Sequence, residues 1–61
     1  MNKLKWEDAE EMAIKILWGW RVKDPVLTRK IAEVILKSQK IPALRIFWNS
    51  KNECLDFEVL K

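Results

Sequence analysis

The residues able to do chemistry are few. The chain has no histidine, one cysteine (Cys54) and no serine in a recognisable nucleophile setting, so covalent and general acid–base catalysis lack their usual agents. Reactive thiols sit in electropositive surroundings, whereas Cys54 has Glu53 and Asp56 beside it. The acidic cluster Glu7, Asp8, Glu10 and Glu11 offers oxygen ligands for a hard cation, but no adjoining loop adds carbonyls, and first-turn acids are accounted for by the helix dipole. The chain is therefore read as a non-enzyme with no cofactor and no metal.

Charge and aromatic content offer two other chemistries. Residues 21–45 carry seven basic and two acidic side chains, while the segments on either side are slightly acidic. Arg29, Lys30, Lys37 and Lys40, with Arg45 and Lys51 from the segment that follows, form a basic set suited to a nucleic-acid backbone. Glu33, at i,i+4 spacing from both Arg29 and Lys37, offsets part of that field. Four tryptophans suggest stacking platforms for single-stranded bases, but Trp6, Trp20 and Trp48 fall on expected inner faces and read as core. Trp18 does not. Ile14 and Trp18 form an apolar pair displaced from the main stripe, and Phe47 with Cys54 is expected as a cross-strand pair on the outer face of a hairpin. Ile14, Trp18 and Phe47 are thus the expected partner interface, for a protein or for the chain itself.

The elements that position these groups follow from periodicity. Trp6, Ala9, Ala13, Ile16, Leu17 and Trp20 share one face of a helix, with Met12 at its edge. Asp8 followed by Glu11 has capping-box spacing, and Gly19 places the helix end between residues 19 and 21. Asp24-Pro25 opens a second helix, because Asp accepts bonds from free backbone N–H groups and Pro has none to lose. Leu27, Ile31, Val34, Ile35 and Ser38 form its inner face, and Pro42 ends it near Gln39.

Beyond Pro42 the period becomes two. Leu44, Ile46 and Trp48 alternate with Arg45 and Phe47, and Leu55, Phe57 and Val59 alternate with Cys54, Asp56 and Glu58. A four-residue turn at Asn49–Asn52 closes a hairpin in which Trp48 faces Glu53, Ile46 faces Leu55, Leu44 faces Phe57 and Arg45 faces Asp56. The expected fold is α+β, with two antiparallel helices packed on a C-terminal β-hairpin in one small domain spanning residues 1–61.

With 61 residues the core is small, a two-stranded sheet is marginal alone, and completion by homodimerisation is expected. No apolar run approaches the ~20 residues that cross a bilayer, so no membrane partner is expected. A lone cysteine suits a reducing, cytoplasmic setting.

Lys5-Trp6 with Asp8, followed by Asp24-Pro25, resembles the opening of the IscX family of iron–sulfur assembly proteins, over the first half of the chain only. The second helix and hairpin are similar to the recognition helix and wing of winged-helix proteins, although a third helix and the helix-turn-helix spacing are missing. Neither resemblance carries a function over. The two functional expectations are a small nucleic-acid-binding homodimer using the basic helix and, alternatively, a protein-interaction module using Ile14, Trp18 and Phe47.

Overall fold

A computed structural model describes residues 3–60. The order is α1 (Trp6–Gly19), α2 (Pro25–Ser38), β1 (Leu44–Asn49) and β2 (Cys54–Val59), an ααββ arrangement of the α+β class ending in an antiparallel hairpin. Helix α1 begins one turn before the acid expected to cap it. Asp8 is its third residue and accepts a bond from the Lys5 N–H at 3.1 Å, the reciprocal half of a capping box, while Glu11 is one turn further on and pairs with Lys15. Lysine has no side-chain acceptor, so the other half of the box is missing.

The end of α1 is a Schellman turn. The Arg21 N–H donates to the Trp18 carbonyl, the Val22 N–H donates to the Leu17 carbonyl, and Arg21 takes the left-handed conformation at φ 59°. Gly19 lies inside the helix, two residues before the position where glycine would help. Asp24 caps α2 as expected, accepting from the Val26 and Leu27 N–H groups at 3.0 and 3.1 Å. At the far end Gln39 is left-handed, and its side-chain amide holds the N-terminal segment. The Leu4 N–H donates to Gln39 Oε1 at 2.7 Å, and Gln39 Nε2 donates to the Leu4 and Leu36 carbonyls. Ser38, expected inside, is exposed and turns its hydroxyl back on the Val34 carbonyl.

The two helices meet through small residues. Ala9, Ala13 and Ala32 are fully buried, together with Leu17, Leu27, Ile31 and Ile35, and Ile46 joins them from β1. Alanines at the crossing bring the backbones close and leave no room for an indole between them. Three expectations fail for that reason and for their position at element ends. Trp6 is the first residue of α1, Trp20 follows its last and Trp48 sits beside the hairpin loop; they are 37%, 48% and 61% exposed rather than core. A periodic stripe predicts burial only where a partner runs alongside.

The hairpin register also differs from expectation, by two residues. Leu44 pairs with Val59, Arg45 with Glu58, Ile46 with Phe57, Phe47 with Asp56, Trp48 with Leu55 and Asn49 with Cys54. The loop keeps four residues but runs from Ser50 to Glu53. Asn49 Oδ1 accepts from the Lys51 and Asn52 N–H groups, and Glu53 takes φ 52° to re-enter the ladder. A shift of two preserves which side chains share a face, so the apolar side still looks inward. Only α2 approaches the sheet, and it does so along β2.

Arg21→Gly relieves a left-handed L-residue and should stabilise the fold by about 0.5–1 kcal/mol, read as a raised urea midpoint. Ala13→Leu should cost about 1–3 kcal/mol by overpacking the helix crossing, whereas Glu10→Leu, at an exposed position of the same helix, should be nearly neutral.

Candidate nucleic-acid and partner surfaces

Helix α2 carries most of the basic set. Arg29, Lys30, Lys37 and Lys40 are exposed, and among the described residues none of them forms an ion pair. They do not make one continuous stripe. Lys30 and Lys37 border a shallow depression of about 480 Å³ with Glu33, Val34 and Leu36, while Arg29 turns toward a different cleft. Lys51 stands in the hairpin loop, exposed. Arg45 is committed elsewhere: its Nε pairs with the Glu58 carboxylate, and its guanidinium lies 5.3 Å from the centre of the Phe47 ring.

The cleft beside Arg29 holds about 430 Å³ at the end of the helical pair where α1 turns into α2. Ile14, Leu17, Val22 and Pro25 make it apolar, Trp18 stands over it with 62% of its surface exposed, and Lys23, Arg29 and Glu10 supply charge. Asp24 also borders it, but its carboxylate is occupied by the α2 cap. Ile14 and Trp18 thus share one site. Phe47 does not line it; it is half-buried on the outer face of the hairpin beneath Arg45, opposite Asp56 rather than Cys54.

What the sequence missed is the setting of Trp18. Lys23 lies in the interhelical connection, and nothing in helical periodicity places it beside an α1 indole. The one available signal was the length of that connection: five residues, 20–24, must fold the chain back immediately and so bring the two helix ends together.

The fold perturbs the titration of Asp56. The Phe57 N–H donates to its Oδ1 at 2.8 Å, Asn49 Nδ2 donates to its Oδ2 at 3.2 Å, and the Lys30 charge adds to both, together holding the carboxyl below the usual aspartate value. Among the described residues no group of three or more histidine, cysteine or carboxylate side chains could hold a metal ion. The acids of α1 are spent on the Lys5 N–H and on Lys15 or face solvent.

The site therefore belongs to a small α+β fold with an exposed indole cleft and a basic helix whose cations are unpaired among the described residues. Comparison with protein families, with curated proteins and with solved structures finds no match to this chain. No described helix is long and apolar enough to cross a membrane.

A carboxyl held low in the folded state contributes stability that is complete above its unfolded value, near pH 4, and that disappears as pH falls through the lower folded value. The stability difference between the wild type and Asp56→Asn, measured by urea unfolding, should therefore be constant from pH 7 to about pH 5 and shrink below about pH 4.

Proposed function

We propose that the protein is a non-catalytic, cytoplasmic nucleic-acid-binding protein that prefers single strands. One observation carries this reading: an exposed indole, Trp18, stands beside Lys23 and Arg29, and the further cations Lys30 and Lys37 on α2 and Lys40 just beyond it make no ion pair among the described residues. Single-stranded sites combine these two elements, because a base stacks on any aromatic face while cations track the phosphates. Trp20 and Trp48, also exposed, add stacking surface. Arg45, tied to Glu58 and Phe47, contributes little. The lone half-buried thiol of Cys54 agrees with a reducing compartment.

A second reading rests on the same cleft's apolar floor, which would accept an aliphatic or aromatic side chain of a protein partner, with Trp18 as the energetic anchor. Glu10 at the rim favours it, since a carboxylate repels phosphate.

Fluorescence polarisation with labelled single-stranded DNA, single-stranded RNA and duplex DNA separates the two. Binding to single strands should be tighter than to duplex and fall steeply with salt. Replacing Arg29 and Lys37 together by Ala should flatten the log–log salt slope by roughly one to two. Trp18→Ala should weaken single-strand binding by about 1–3 kcal/mol. Absence of binding to all three probes at low salt would eliminate the nucleic-acid reading and leave the cleft to a protein.

A further inference from the structure

The two outer edges of the hairpin differ in what they present to a further strand. Helix α2 approaches the backbone of β2 at a few positions only, and neither helix comes close to the backbone of β1. Strand β1 has no proline and a single charge, Arg45, which Glu58 already neutralises. Exposed apolar strand edges of this kind template further pairing unless charge, proline or a bulge blocks them.

Ladder geometry identifies the groups that this edge offers. The Leu60 N–H donates to the Ala43 carbonyl at 2.8 Å, so residues 43 and 60 are a hydrogen-bonded pair. Alternation along an antiparallel ladder then makes Arg45, Phe47 and Asn49 the β1 residues bonded to β2, and turns the N–H and C=O groups of Leu44, Ile46 and Trp48 outward.

We propose that a second copy of this chain pairs there, β1 against β1, antiparallel about a twofold axis at Ile46. Outward groups meet in register: Ile46 with Ile46 of the second copy, and Leu44 with its Trp48, for about six main-chain hydrogen bonds. On the apolar face, Trp48 packs against Leu44 of the second copy, which covers an indole that is 61% exposed in one chain. On the other face Arg45 stands opposite Phe47 of the second copy, repeating across the axis the cation–aromatic contact that the two residues make within the chain. No like charges face each other.

The same operation on β2 fails electrostatically. Its outward groups are those of Leu55, Phe57 and Val59, and pairing about Phe57 sets Asp56 opposite Glu58 of the second copy twice over. Charge therefore selects β1 and a four-stranded sheet with order β2-β1-β1-β2. This inference stands independently of the nucleic-acid reading.

Residue-resolved amide hydrogen exchange at micromolar and at millimolar protein, with mass from sedimentation, tests it. The mass should double, and the Leu44, Ile46 and Trp48 amides should slow by about tenfold or more while Leu55, Phe57 and Val59 are unchanged. Trp48→Pro removes an outward donor without touching a hairpin bond, and should stay a single chain with an unchanged far-ultraviolet spectrum. A single chain at millimolar concentration would overturn the proposal and leave the edge to another strand. So would a dimer whose slowed amides lie on β2 or on the helices, or a folded Trp48→Pro variant that still dimerises.

Discussion

The close approach of α1 and α2 over Ala9, Ala13 and Ala32 is the constraint from which the rest of the structure follows. Two 14-residue helices separated by alanines form a thin double layer whose interior accepts Leu17, Leu27, Ile31 and Ile35 and nothing larger. Because dispersion contacts accumulate only at close packing, this arrangement stabilises a small core without aromatic bulk. It also fixes where the aromatics go. Every tryptophan is displaced to an end or an outer surface, and the hairpin is left with one helix to lean on.

That displacement links the fold to its candidate functions. An indole expelled from the core retains its apolar area and its π-face, and both need an occupant if they are to be dry. Trp18 stands over a cleft with cations beside it, while Trp48 stands on a strand with an open edge. One environment mixes charge with an aromatic face and the other is nearly uncharged, so the two sites suit different chemistry. A single chain can carry both, since the cleft lies at the α1–α2 connection and the open edge on the hairpin.

Element types, the ends of α2 and the inward face of the hairpin were legible in the sequence because each rests on local chemistry. Asp24-Pro25 opens α2 through bonds within three residues, and alternation after Pro42 needs only the period of an extended chain. Register was not legible, because Arg45 finds an opposite charge at Asp56 or at Glu58 and both apolar sets stay inward after a shift of two. The choice fell to Asn49, whose side chain organises the loop and so belongs to the strand rather than to the turn. The burial of Trp6, Trp20 and Trp48 was misread because a stripe reports direction, while burial also requires something on the other side. The basic residues on α2 were legible as a group, but their division between two depressions depends on which neighbours each meets across the helix pair.

The positions of the four tryptophans also determine what light can report about this protein. Indole emission responds to the polarity around the ring, and all four rings keep more than a third of their surface in water in the folded chain. Unfolding changes that environment less than it would for fully buried indoles, Trp18 and Trp48 least of all. Any molecule that settles on Trp18, or any strand that covers Trp48, removes water from a ring that the fold itself leaves wet. The emission spectrum of this protein therefore reports what it has met as well as whether it is folded.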